Sequence, residues 1–214
     1  MSIMSREKVS YYDKNWKEYD EWYDTHQAIY QSEIKALEKI VPSGRGLEIG
    51  IGTGRFATVF SVQFGLDPSF NMLKLAKQRN IRVVQGFGEC LPFKNESFNF
   101  ILIVFTIEFV DNPRLFLKEA ARTLKKKGAF ILGILDRNSR WGKFYEKQTT
   151  QSKAYSAFRS RTPKEILEIF ENIDMEFKEA FQTLFHHPPD INQIEEPRRG
   201  FGQGGFVVVK AKKI

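Results

Sequence analysis

The stretch from Leu47 to Phe56 reads LEIGIGTGRF, a short apolar run followed by Gly50, Gly52 and Gly54 at alternate positions. Glycines this dense mark a backbone that turns sharply or that a ligand approaches closely. The apolar run before them has the length of a buried strand, and Arg55 to Phe60 opens a helix. Strand, glycine turn and helix together form a ligand cradle in open parallel sheets.

The residues around this stretch extend the same rhythm. Val62 to Asp67, Ile81 to Gly86, Phe98 to Phe105 and Ala129 to Leu135 read as strands, with helices over Ser69 to Arg79 and Asn112 to Lys125 between them. Lys127 and Gly128 supply the stop after the second of these helices, a basic last turn followed by glycine. The run FNFILIVF at Phe98 is apolar on both faces, as a central parallel strand requires. Alternation of this kind predicts an α/β domain with helices on both faces of a mostly parallel sheet. After a helix at Pro163 to Asn172 the rhythm changes: Met175 to Phe185 and GGFVVVKAKK are joined by a Pro-rich connection, which predicts a terminal antiparallel pair.

The totals narrow the class. The chain has 214 residues, 42% hydrophobic and 28% charged, which suits one domain, and its 20 phenylalanines predict an aromatic core. The single cysteine, Cys90, excludes an internal disulfide and a cysteine-cluster metal site and reads as an inert thiol. His186 and His187 have no third ligand spaced nearby, so no metal is expected. With no signal-peptide core at the N-terminus and no apolar run near the ~20 residues of a membrane span, a cytoplasmic location is expected. The formal charge of +7 raises the possibility of a nucleic-acid partner, but apart from Lys125 to Lys127 and Lys210 to Lys213 the basic residues are scattered. That pattern favours solubility over a nucleic-acid surface. A monomer or weak homodimer is expected.

Three residues decide among glycine-loop ligands. The dinucleotide fingerprint places its third glycine where this chain has Arg55, and the nucleoside-triphosphate loop needs a Lys-Ser or Lys-Thr pair that is absent. Glu48 sits within the first strand, where a pyrophosphate gains nothing from negative charge but a cationic ligand does. Asp67 ends the second strand, where a carboxylate accepts from vicinal ribose hydroxyls. An acidic, glycine-lined crevice suits a cationic nucleoside, of which S-adenosylmethionine is the common one.

The segments LEIGIGTGRFA, GLDPSFNMLKLAKQR, GECLPFKNESFNFILIVFTIEFVDNP and FLKEAARTLKKKGAFILGI resemble, in order and spacing, the successive motifs of class I S-adenosylmethionine-dependent methyltransferases. The likeness is to the small-molecule type that includes quinone-biosynthesis enzymes, and it runs from about Arg45 to Ile134. It implies a Rossmann-like seven-stranded sheet with an antiparallel last strand and S-adenosylmethionine as cofactor. By this resemblance Glu48, Gly50, Gly52 and Gly54 face the methionine half of the cofactor and Asp67 holds the ribose. Pro68, Ser69 and Met72 flank the adenine, Gly86 to Glu89 form the adenine loop, and Val104 to Thr106 floor the methyl group. Phe87 stands where the family carries an aspartate; the resemblance then implies that its ring packs on the base and the Gly88 amide donates to the ring, with Glu89 the one candidate for the usual bond to the adenine amine.

The acceptor side is expected outside these motifs, with residues 1–43 as a helical lid, 44–135 as the cofactor core, 136–162 as a substrate-side insert and 163–214 as the C-terminal helix and strands. Trp16, Tyr19, Trp22, Tyr23, Trp141 and Tyr145 are the aromatic candidates for substrate contact. Glu108, just past the fourth strand, and His26, in the lid, are the candidate catalytic groups. The reading is methyl transfer to a nitrogen or oxygen of a small molecule. An RNA or protein methyltransferase and a non-catalytic cofactor-binding module are the alternatives.

Overall fold

The computed structural model describes residues 6–149 and 158–214. Three helices come first: α1 (Arg6–Lys14), α2 (Trp16–Thr25) and α3 (Gln27–Glu38). The alternating core follows as β1 (Gly46–Ile49), α4 (Arg55–Val59), β2 (Phe64–Asp67), α5 (Phe70–Gln78), β3 (Arg82–Gln85), β4 (Phe98–Val104), α6 (Pro113–Thr123) and β5 (Leu124–Leu135). The chain closes with α7 (Arg140–Gln148), α8 (Pro163–Glu171), β6 (Met175–Thr183), β7 (Arg198–Arg199) and β8 (Phe206–Lys213).

One sheet takes all eight strands in the order β3-β2-β1-β4-β5-β8-β6-β7. The pairs from β3 to β5 are parallel, and β8 inserts antiparallel between β5 and β6. The expected terminal antiparallel pair is therefore present as β6 and β8. An eighth strand joins the seven expected: β7, two residues from the Pro-rich connection, pairs with the edge of β6 through Phe181 and Gln182.

Strand β4 explains why the core has two halves. Ile101 and Ile103 belong to one buried cluster with the α6 and α8 side chains, while Phe100, Leu102 and Val104 belong to the other with α3. Successive side chains point to opposite faces, so a strand apolar throughout must be covered twice. Phe98 and Phe100 fall on different faces because the pairing register shifts between them.

Helix starts follow their caps. Ser69 accepts from the Met72 amide, Asn112 from Leu115, and Thr162 with Glu165 forms a capping box ahead of Pro163. The end of α6 differs from the expected Lys125. Leu124 is already extended and pairs with Phe98, and the left-handed residue is Lys127 (φ 61°), not Gly128. The tertiary structure supplies the reason. Amides of Glu96 and Ser97 donate to the Arg122 and Thr123 carbonyls, and Lys213 Nζ donates to those of Ala121 and Leu124, each at 2.8 Å. These donors satisfy the last carbonyls of the helix, so no further turn is needed.

Candidate active site

The sheet order reverses between β1 and β4, and the glycine loop rises from the carboxyl end of β1 at that point. Gly50, Gly52 and Gly54 all have positive φ, of 74°, 54° and 86°. A β-carbon at Gly50 would lie 2.2 Å from Thr106 Oγ1, and one at Gly54 would lie 2.7 Å from Ile81 Cδ1. Gly54 thus serves the turn and the packing of the loop on α5. Gly52 is different: its amide donates to Asp67 Oδ2 at 2.9 Å, and its open side faces the Tyr19 hydroxyl.

Asp67, half-buried at the end of β2, also accepts from the Ser69 amide through Oδ1 at 2.8 Å. Each oxygen can accept a further hydrogen bond, and the residue lines the cavity in front of the glycine loop. Burial outweighs these two donors and raises its pKa to about 6.

A cavity of about 340 Å³ opens in front of this loop. Of the sequence-predicted residues, Gly50, Gly52, Asp67, Pro68, Ser69, Met72, Val104 and Thr106 line it, together with Tyr19, Trp22, Tyr23, Trp141 and Tyr145. The insert contributes through α7, whose Trp141 is fixed by donating Nε1–H to the His186 carbonyl at 2.7 Å. The remainder of the insert, residues 150–157, lies outside the described residues.

Several predicted residues do not reach the wall. Glu48 lies behind the glycine loop, 2% exposed, where the Ala57 amide at the start of α4 donates to it and burial raises its pKa well above the ordinary carboxylate value. Gly54 packs beneath the loop, and Gly86, Phe87, Gly88 and Glu89 form a turn beside the cavity, where Gly88 packs against Phe116. Trp16 is half-buried away from the wall with Lys17 over its ring.

Neither expected catalytic group faces the cavity. His26 is exposed, its ring stacked on Trp22 at 4.4 Å and its Nδ1 2.9 Å from the Trp22 carbonyl oxygen. Glu108 is fully buried with Oε1 accepting from the Leu135 amide at 2.9 Å, and burial raises its pKa to about 7. Its carboxylate holds the end of β5 to the turn after β4.

The wall also includes Phe105, within the expected floor, and residues that sequence reasoning did not select: Val9, Tyr11, Tyr12, Asn15, Glu18, Glu33, Phe109, Leu135 and Phe158. For Glu33 a signal was present. It interrupts the apolar stripe of Ile29, Tyr30, Ile34 and Leu37 on one face of α3.

The lid is clamped to the core by charge. Asp13 Oδ1 accepts from Ser69 Oγ at 2.8 Å and from the Asn71 amide at 2.9 Å, so α1 docks on the start of α5. Asp20 of α2 receives both Arg55 and Arg79 at 2.8–2.9 Å, and Arg55 also reaches Asp24. Burial opposes the charge on Asp20, but the two guanidinium groups hold its carboxyl well below the usual range. Arg55, which occupies the third glycine position of a dinucleotide site, is therefore the residue that fastens the lid.

Comparison with known proteins agrees with this geometry. A family model described as a methyltransferase domain matches residues 47–132. A crystal structure from Thermotoga maritima, described as an S-adenosylmethionine-dependent methyltransferase and possible histamine N-methyltransferase, is 42% identical. It superposes with a TM-score of 0.91 over 95% of this chain and 98% of that one. The chain belongs to the S-adenosylmethionine-dependent methyltransferases.

An uncharacterised protein of Methanocaldococcus jannaschii is 43% identical to this methyltransferase over 206 residues, 96% of this chain and all of that one. A demethylmenaquinone methyltransferase of Staphylococcus aureus is 24% identical over 79% of this chain and 70% of its own length. S-adenosylmethionine is the cofactor, and the residues present fit it. Asp67 can accept further hydrogen bonds from a ribose diol, Gly50 and Gly52 bring backbone without side chains to the wall, and among the described wall residues Asp67 and Glu18 are met by no lysine, arginine or histidine. A cationic nucleoside meets charge of the right sign.

Proposed function

We propose that this methyltransferase acts on a small-molecule acceptor, through nitrogen or oxygen, held between the lid and α7. The observation that carries this reading is the roof. Tyr12, Tyr19, Trp22 and Tyr23 from α1 and α2, with Trp141 and Tyr145 from α7, line one cavity with the glycine loop. A half-open cleft of this volume, walled largely by apolar and aromatic side chains, has the size and lining of a small-ligand site. The described names of the Thermotoga and Staphylococcus relatives, a possible histamine N-methyltransferase and a demethylmenaquinone methyltransferase, point to small acceptors as well.

The bound cofactor supplies an electrophilic methyl group on a sulfonium. The chain's own residues position the partners, since displacement at carbon needs nucleophile and leaving group in line. Asp67 and Ser69 hold the nucleoside end, and Gly50 and Gly52 line the methionine end. Val104, Thr106 and Leu135 form the floor, and the lid aromatics exclude water around the acceptor. Within this reading the chain is one functional domain, residues 1–43 serving as lid and 136–162 as the second half of the roof.

The test is transfer of labelled methyl from S-adenosylmethionine to three panels: small amines, phenols and quinols, and mixed RNA with denatured and native protein. Label is expected in the small-molecule panels. Salt-sensitive label in RNA, or label in protein alone, would overturn the reading.

A further inference from the structure

We propose that Glu33 is the specificity residue of the acceptor pocket and that it selects acceptors carrying a protonated nitrogen. The proposal rests on the small-acceptor reading and names the class of molecule within it.

Glu33 lines the cavity yet is only 2% exposed, and its Oε2 has no hydrogen-bond partner. Burial raises its pKa well above the ordinary carboxylate value, so without a partner it keeps its proton, and a cation brought beside it pairs with the ionised form. No lysine, arginine or histidine among the described wall residues can serve as that cation. The hydroxyls of Tyr19 and Tyr23 on the same wall bond to each other at 3.0 Å. Aromatic rings of the lid and α7 line the same space, and aromatic faces attract ammonium groups.

The cofactor is also a cation, so position matters. Asp67 holds the Gly52 amide, and Gly52 faces the Tyr19 hydroxyl, which bonds to that of Tyr23 at 3.0 Å. The Tyr23 ring in turn meets that of Tyr30 at 5.0 Å, one turn before Glu33 on α3. The two carboxylates thus stand at opposite ends of a row of tyrosines. The helix of Glu33, α3, packs against β6 and β8, and Tyr30 one turn earlier donates to the Arg55 carbonyl at the start of α4.

Calorimetry on the full chain saturated with S-adenosylhomocysteine tests the proposal with three matched pairs of probes. These are 2-phenylethylamine and 2-phenylethanol, tryptamine and tryptophol, and cyclohexylmethylamine and cyclohexylmethanol. The parent is expected to bind at least one amine about tenfold or more tighter than its alcohol, the scale of one charge-assisted hydrogen bond. In Glu33→Gln, which keeps the shape, that preference is expected to fall below about threefold while S-adenosylhomocysteine affinity is unchanged.

Equal binding of amine and alcohol in all three pairs by the parent overturns the proposal without any variant. So does a preference retained in Glu33→Gln, or a loss confined to S-adenosylhomocysteine affinity, which would assign Glu33 to the cofactor. Methyl transfer to phenols or quinols by a parent with no amine preference would refute the role of Glu33 and leave the small-acceptor reading standing.

Discussion

Asp67 joins loop geometry to ligand chemistry in one side chain. Its two oxygens fasten the Gly52 and Ser69 amides, each can accept a further hydrogen bond, and the residue lines the cavity. Asp67→Ala is expected to weaken S-adenosylmethionine binding by roughly 1.5–3 kcal/mol in a calorimetric titration, the scale for losing the partner of a buried polar group. The raised pKa adds a pH signature. In the free protein burial favours the protonated form, so this residue's contribution to stability is present below the ordinary carboxylate value and lost as pH rises through about 6. Cofactor binding runs the other way, because two hydroxyl donors need the ionised carboxylate. Affinity should therefore fall as pH drops through about 6, and Asp67→Asn should flatten that fall. Glu108 makes the opposite case. With Oε1 on the Leu135 amide and its carboxylate off the wall, Glu108→Gln should leave kcat/KM within about twofold, a change smaller than removal of a transition-state contact produces. At this scale the glycines and Asp67 were legible, because their chemistry is local. The inward turn of Glu33 and the outward turn of His26 and Glu108 depend on how α2, α3 and β5 pack.

At the scale of elements, the lid is fastened by three separate carboxylates, of which Asp20 carries the most. It is paired with two guanidinium groups at a site where its side chain is 14% exposed. Asp20→Asn should cost about 2–3 kcal/mol in chemical denaturation, somewhat below the loss for a fully buried pair. Amide exchange in α1 and α2 should quicken while the sheet stays protected, and equal exchange in parent and variant would show that the clamp contributes nothing to closure. The pKa of Asp20 lies below its unfolded value, so its stabilisation is present above the ordinary carboxylate range and fades as pH falls beneath it. Residues 1–43 read as a helical lid with Tyr19, Trp22 and Tyr23 among its aromatic candidates, and α1 to α3 form there. Which core residues would receive them was not readable, because Arg55 and Arg79 meet Asp20 only after α4 and α5 are in place. The α6 boundary failed in sequence for a similar reason: the groups that terminate it, Glu96, Ser97 and Lys213, are distant in the chain.

For the whole molecule, β4 is the element whose loss would be felt on both sides. Phe100 is 1% exposed, and its ring fills the space beside Gly46, where a β-carbon would stand 2.2 Å from it. Phe100→Ala should lower unfolding free energy by about 3–5 kcal/mol, measured by denaturant titration, since it removes a large buried ring and leaves a cavity. The sheet shows why the lid and α7 share one roof. The β1–β4 reversal places the carboxyl ends of all parallel strands on one rim, and helices arriving from either side of the sequence meet above it.

By itself the sequence determined the alternating core, the direction of its strands, the antiparallel close and an acid at the end of β2. Each follows from a local pattern: apolar period, glycine density, or an acid at a strand end. The tertiary structure alone decided that Glu33 joins the cavity and Glu48 stays behind it, and that Arg55 is a latch. It also decided that β8 lies between β5 and β6. Those outcomes depend on which surfaces meet when the sheet closes, and a residue's partner across the fold leaves no trace in its neighbours along the chain.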